Sequence, residues 1–83
     1  MAEELIGEVS DFFARPVVAG IEISRNLKAG DEIHILGHTT DITMTVDSMQ
    51  INNANVTEAN QGDAIGIKVP DRVRRGDKVF RVS

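Results

Sequence analysis

The sequence predicts an all-β protein folded as a small closed barrel of roughly six to seven strands. Two observations carry this prediction. Short apolar segments with a two-residue alternation fill the chain, and no segment has the length and period of a substantial helix. A Gly-Asp pair also opens three of these segments, at residues 30–31, 62–63 and 76–77. Glycine accepts the positive φ of a tight turn, and the aspartate can hydrogen-bond to nearby backbone and hold that turn.

The predicted strands follow one another along the chain with short connections. They cover residues 5–13, 17–24, 31–36, 41–51, 64–69 and 78–82. Arg15-Pro16 separates the first two, because proline cannot donate a hydrogen bond to a ladder, and Pro70 ends the fifth. The odd positions from Val17 to Ile23 form one apolar face, and His34 points outward. Alternation places seven side chains in the core: Ile21, Ile33, Ile35, Met44, Val46, Ile65 and Ile67.

Three places in this pattern need separate comment. In residues 41–51 the apolar phase changes from even to odd numbers at Asp47-Ser48, which predicts a β-bulge there with Val46 and Met49 both inward. Residues 52–55 form a turn, and residues 56–61 a short link that is irregular or a single helical turn. The last strand has an ambiguous phase, because Val79 competes with Phe80 and Val82 for the core.

Length and composition limit the chain to one small aliphatic domain. Residues 1–83 are expected to form a single domain with a modest core. Trp and Tyr are absent, and the lack of Cys excludes disulfides, thiolate chemistry and cysteine-ligated metals. The acidic start Met-Ala-Glu-Glu is unlike a secretory signal, and no long apolar segment follows it. We therefore expect a cytoplasmic protein that makes no contact with a membrane.

Charge is unevenly distributed along the chain. Residues 68–81 contain six basic side chains against two acidic ones, a net charge of +4, whereas the remainder contains three against eleven, a net charge of −8. The acidic remainder disfavours broad nucleic-acid binding. The basic segment is either a solvated loop or a contact surface for RNA phosphates or an acidic partner. The candidate binding residues are Arg72, Arg74, Arg75, Lys78 and Arg81.

No catalytic or metal-binding constellation is recognisable in the sequence. His34 and His38 would lie about 13 Å apart on a continuous strand, too far to share one ion, and no third ligand is evident. Asp31, Asp63 and Asp77 each follow a glycine, so we interpret them as turn-capping residues. We predict a protein that is not an enzyme and that needs no cofactor and no metal.

Four segments together resemble a known family. Residues 27–35 look like the Lys-x-Gly-Asp-x-(Ile/Val) strand of domain II of translational GTPases such as elongation factor Tu. Residues 46–51 resemble the bulged strand of that domain, residues 56–67 its (Ala/Gly)-Asp-x-(Val/Ile)-Gly strand, and residues 74–79 its last strand. The resemblance covers about nine-tenths of the chain in the family's order. It implies a Greek-key barrel of the translation-protein type, and the best match is a stand-alone elongation-factor-like protein.

The chain also resembles the C-terminal barrel module of the collagenase-like peptidase family, some of whose members are linked to RNA hydroxylation. The chain has no phosphate loop, so binding of GTP is not expected. Two functions follow from these resemblances. The first is a non-catalytic module of translation or RNA modification that contacts RNA, either rRNA or tRNA, or a protein of that machinery. The alternative is an accessory subunit that supplies the barrel module of a collagenase-like peptidase-type enzyme. The sequence does not specify an oligomeric state.

Overall fold

A computed structural model describes residues 3–14 and 17–82 of the chain, which contain ten strands and no helix. The strands are β1 (Glu3–Ala14), β2 (Val17–Ile23), β3 (Leu27–Lys28), β4 (Glu32–Leu36), β5 (Asp41–Thr45), β6 (Met49–Ile51), β7 (Ala54–Val56), β8 (Glu58–Ala59), β9 (Ala64–Lys68) and β10 (Lys78–Val82). The all-β prediction is therefore confirmed. The predicted break at Arg15-Pro16 lies outside the described residues.

The sheet topology differs from the closed barrel that the sequence predicts. Eight strands form one antiparallel sheet in the order β5-β4-β10-β1-β2-β9-β6-β7, and β3 pairs separately with β8. Within the described residues no ladder joins β5 to β7, so the sheet is not closed into a barrel. The prediction of closure was wrong because alternation reports which face of a strand is buried. It does not report whether the edge strands of the sheet meet.

The strand count was also too low, for a related reason. The strand predicted over residues 41–51 is divided into β5, which pairs with β4, and β6, which pairs with β7 and β9. Three further strands, β3, β7 and β8, have only two or three residues each, which is too short for a visible alternation. β8 lies where the sequence suggested an irregular link or a helical turn.

The core is aliphatic and lies on one face of the eight-stranded sheet. Six of the seven predicted core residues are buried, and Met44 is half-buried at its border. Val17, predicted on the inner face of β2, is 38% exposed, and Val79 is fully buried, which settles the phase of β10. The sequence analysis did not identify several further buried side chains: Ile6, Leu27, Ala59 and Val73.

The three Gly-Asp pairs form the same turn three times, as the sequence predicts. Their glycines have φ values of 98°, 92° and 90°. In each turn the aspartate N–H donates to the carbonyl three residues earlier, at 3.0–3.1 Å. The aspartate carboxylate accepts a hydrogen bond from the N–H of that same earlier residue, at 3.0, 2.8 and 2.9 Å. Asp31, Asp63 and Asp77 are therefore turn-holding residues.

The phase change at Asp47-Ser48 is a break between two strands. β5 ends at Thr45 and β6 begins at Met49. Val46 and Met49 are 1% and 0% exposed, so both point inward as predicted. The expected bulge within one continuous strand is not present, because the two halves pair with different neighbours.

Candidate interaction surfaces

The basic residues near the end of the chain are largely paired with acidic residues of β1. Arg81 lies 2.5 Å from Glu4, and Lys78 lies 2.5 Å from Glu8. The antiparallel register of β1 and β10 places both pairs directly opposite each other. Arg75 makes a third pair with Asp11 of β1, at 3.4 Å. Opposite charges across a ladder attract, so three of the five candidate bases already have an internal counter-charge.

Arg81 has additional contacts inside the protein. Its Nη1 donates to the backbone carbonyl of Asn26 at 2.6 Å and lies 3.7 Å from Asp31. Its side chain is only 24% exposed. Arg81 therefore links β10 to β1 and to the first Gly-Asp turn.

Arg72 and Arg74 are the two candidate bases without a carboxylate partner among the described residues. Both are exposed, on the loop that joins β9 to β10. The Arg72 guanidinium lies 5.8 Å from the ring centre of Phe12, within cation–π range. Contact of this loop with RNA or an acidic partner stays a prediction.

His34 lies on the outer face of the sheet between two carboxylates. Its Nδ1 is 2.9 Å from Glu3, and its Nε2 is 2.6 Å from Asp41. The side chain is 16% exposed, so it is more covered than an ordinary surface histidine. The hydrogen bond with Asp41 raises the pKa of His34 above its ordinary value of 6.5. Burial lowers this pKa, and Glu3 raises it further. The described residues contain no group of three or more side chains suited to holding a metal ion.

We expect substitution of His34 by Gln to change how stability depends on pH. The raised pKa means that the folded state binds the proton more tightly than the unfolded chain. The stabilisation is therefore complete below about pH 6.5 and is lost as the pH rises through the folded-state pKa. In urea unfolding, the stability advantage of the wild type over His34→Gln should be larger at about pH 5.5 than at about pH 8, by at most about 1 kcal/mol.

His38→Gln is the matched control for this measurement, because His38 is exposed on the neighbouring loop. This variant removes the other histidine of the chain and leaves the contacts of His34 with Glu3 and Asp41 in place. If His34→Gln behaves like His38→Gln, the two carboxylates do not hold the His34 proton.

An open groove of about 460 Å³ crosses the outer face of β2 and β9. Its floor includes Gly20 and Gly66, which are directly paired across the two strands. Phe13, 53% exposed, and Val18 form one side, and the amides of Gln50 and of the β6–β7 turn form the other. None of the eleven lining residues is ionisable.

The rim of the groove is fixed by the tight turn between β6 and β7. Asn52 and Asn53 have φ values of 53° and 65°, the left-handed conformation that a two-residue hairpin turn requires and that Asn tolerates. The sequence analysis predicted this turn and expected one of Phe12 and Phe13 to be exposed. It did not predict the groove, because the pairing of Gly20 with Gly66 is a property of strand register.

The described residues contain no helix long and apolar enough to cross a membrane. No protein-family model matches the chain.

Two curated proteins are similar in sequence to nearly the whole chain. An uncharacterised protease of Methanocaldococcus jannaschii is 43% identical over 76 residues, which are 90% of this chain and 19% of that protein. A collagenase of Porphyromonas gingivalis is 37% identical over 78 residues, which are 92% of this chain and 22% of that protein. The chain therefore spans about a fifth of the length of these relatives.

Two solved structures have the same fold. They are crystal structures of the C-terminal domain of a Geobacillus thermoleovorans protein assigned to the U32 peptidases. One has a TM-score of 0.89 at 14% identity, covering 96% of this chain and 93% of that domain. The other, a selenomethionine variant, has a TM-score of 0.87 at 15% identity, covering 92% and 96%.

These comparisons support one of the two resemblances found in the sequence. The similarity to collagenase-like peptidases is confirmed, whereas the resemblance to domain II of elongation factor Tu stays a prediction. The chain has the fold of a U32 peptidase C-terminal domain and is similar in sequence to about one-fifth of a protease and of a collagenase.

Proposed function

We propose that this chain is a non-catalytic accessory module of a collagenase-like, U32-type enzyme. The observation that carries the proposal is the extent of the sequence match. About nine-tenths of this chain aligns with only about a fifth of each relative, so most of each relative has no counterpart in it. Catalysis by such an enzyme is then a property of the larger part, and this module associates with it.

The uses of the ionisable side chains in the fold support a non-catalytic role. The three aspartates of the Gly-Asp turns hold backbone N–H groups. Both ring nitrogens of His34 are engaged by carboxylates. Groups that accept local hydrogen bonds or form internal ion pairs in this way stabilise the turns and the sheet, and we assign them no role in bond cleavage.

The main test is affinity capture from a native lysate of the source organism with the tagged chain. We expect a U32-type protein to be recovered in about equimolar yield, and nuclease treatment of the lysate should not change this yield. The purified chain alone should not hydrolyse gelatin or peptides. Hydrolysis by the chain alone, or the absence of any U32-type protein from the captured material, would contradict the proposal.

A double variant, Arg72→Ser with Arg74→Ser, separates this function from RNA binding in translation or RNA modification. Both side chains are exposed, so the variant should fold normally. Capture of a U32-type partner should be unaffected by the double variant. Recovery of rRNA or tRNA that falls steeply with salt and is lost in the variant would instead favour the RNA function, because phosphate contacts release counterions.

A further inference from the structure

Two of the seven glycines in the chain have no steric or conformational reason to be glycine. A Cβ on Gly20 would meet no atom closer than 3.4 Å, and one on Gly66 no atom closer than 3.5 Å. Neither residue has a positive φ. By contrast, a Cβ on Gly7 would lie 2.7 Å from the backbone oxygen of Glu22, and one on Gly37 would overlap the carboxylate of Asp77.

Gly20 and Gly66 therefore weaken the sheet without a structural benefit. Both lie inside strands, where glycine is less stable than alanine by about 0.5–1 kcal/mol. They are neighbours across the ladder. Both lie on the outer face, because the residues next to them in each strand are buried in the core: Ala19 and Ile21 in β2, and Ile65 and Ile67 in β9. A glycine inside a strand often marks a site where another molecule approaches the backbone closely.

The residues around this glycine pair indicate which kind of chemical group would bind there. The floor is bare backbone, and the half-exposed ring of Phe13 lies beside it. Gln50 lies directly opposite Gly66, so an amide group borders the floor. The groove has no ionisable lining residue, so it suits an uncharged group. The Phe13 ring favours an aromatic group, and the amides of the rim favour a ligand that also carries hydrogen-bonding atoms.

We propose that this groove binds an uncharged aromatic side chain on an exposed segment of a protein partner. The ring would lie against the glycine floor with its edge or face toward Phe13, and the rim amides would hydrogen-bond to the partner's backbone. The lining favours a protein over a nucleic acid, because none of the lining residues is basic and could pair with a phosphate. The identity of the partner as a U32-type chain rests on the proposed function, but the groove can be tested without that partner.

The test is a titration of the full chain with N-acetyl-tryptophanamide, followed by amide NMR and by probe fluorescence. The chain contains no Trp or Tyr, so the fluorescence reports only the probe. We expect saturable shifts of the backbone signals of Gly20 and Gly66 and of the side-chain amide signals of Gln50 and Asn53. N-acetyl-leucinamide, which has no ring, should bind several-fold more weakly. Adenosine tests the nucleobase alternative, and tighter binding of adenosine than of the tryptophan probe would overturn the proposal.

Two variants and one control test whether the probe binds at the glycine floor. Gly66→Val fills the floor and should weaken probe binding by at least about tenfold, which corresponds to about 1.4 kcal/mol. Its melting temperature should equal or exceed that of the wild type, because valine favours strands. Phe13→Ala should also weaken binding. Thr43→Val, on the exposed face of the distant edge strand β5, should leave binding unchanged.

Each outcome bears on the proposal separately from the proposed function. Unchanged binding in Gly66→Val places the probe elsewhere, and a large loss of stability in that variant gives Gly66 a structural role; either result overturns the inference. If the probe binds as described but no U32-type protein is captured from lysate, the groove stands and the proposed function fails. If a U32-type protein is captured equally well by the wild type and by Gly66→Val, the association uses another surface and the inference about the partner fails.

Discussion

Deletion of Ser48 should destabilise the protein more than any single substitution on its surface. Val46 is anchored to the first Gly-Asp turn: its N–H donates to Asp31 at 2.9 Å and its carbonyl accepts from Gly30 at 2.7 Å. Three residues further on, Met49 is anchored by its register opposite Ile67. Asp47 and Ser48 are the whole connection between these two buried anchors. With one residue fewer, Met49 must leave the core or β6 must shift by one position and present Gln50 to it.

The expected cost can be set against the stability of a small domain. Loss of a buried Met side chain from a core costs about 2–5 kcal/mol. The total free energy of unfolding of such domains is about 5–15 kcal/mol. Urea unfolding followed by circular dichroism should therefore find the deletion variant mostly unfolded or with a greatly lowered midpoint.

Ser48→Ala is the control for the deletion, because the Ser48 side chain is exposed. It should change the free energy of unfolding by no more than about 0.5 kcal/mol. If the deletion variant unfolds at the same urea concentration as the parent, the connection is longer than it needs to be, and the burial of Val46 and Met49 does not depend on its length.

The second large effect is expected for Gly7→Ala, with Gly66→Ala as its matched control. A Cβ on Gly7 would lie 2.7 Å from the Glu22 carbonyl oxygen and 3.2 Å from the Ile23 Cα, both of which are backbone atoms of the adjacent strand. Backbone within a ladder cannot move aside as a flexible side chain can. We expect β1 and β2 to separate locally, at a cost of about 1–3 kcal/mol.

Gly66→Ala makes the same chemical change where the added atom meets only an ordinary contact, 3.5 Å from Val18. It should leave the free energy of unfolding unchanged or raise it by up to about 1 kcal/mol. Thermal and urea unfolding of the two variants side by side measure this difference. Equal destabilisation by both would remove the distinction between structural glycines and floor glycines.

The parts of the fold that the sequence predicts correctly are those that depend on local pattern. Alternation places Ile33 and Ile35 in the core, and the repeated Gly-Asp pair predicts three turns that share one hydrogen-bonding geometry. The two-residue strands β3 and β8 could not be predicted, because only their pairing with each other, between distant parts of the chain, defines them. Val73 is buried within a loop of exposed charged residues, where no alternation marks it.

The two candidate interaction surfaces could be predicted less well than the fold, because both depend on strand register. The net positive charge of residues 68–81 is real, but the register of β1 and β10 places Glu4 and Glu8 opposite Arg81 and Lys78. Charge counted along the chain therefore overstates the charge that a partner meets. The glycine-floored groove depends in the same way on the pairing of Gly20 with Gly66, which are 46 positions apart in the numbering.

The central position of β10 has a consequence for how this domain folds. β10 lies between β4 and β1, so it joins the β4–β5 hairpin to the other five strands of the sheet. During synthesis, residues 78–82 emerge after the other seven strands of this sheet, and until they do the β4–β5 hairpin has no neighbour in the sheet. Pairing of β10 with β1 and β4 closes long loops of the chain, which is entropically costly. We therefore expect folding to be slow for a domain of this size, and to be completed only after residues 78–82 have left the ribosome. Attraction between β1 acids and β10 bases should speed that step, and added salt should slow folding more than it speeds unfolding.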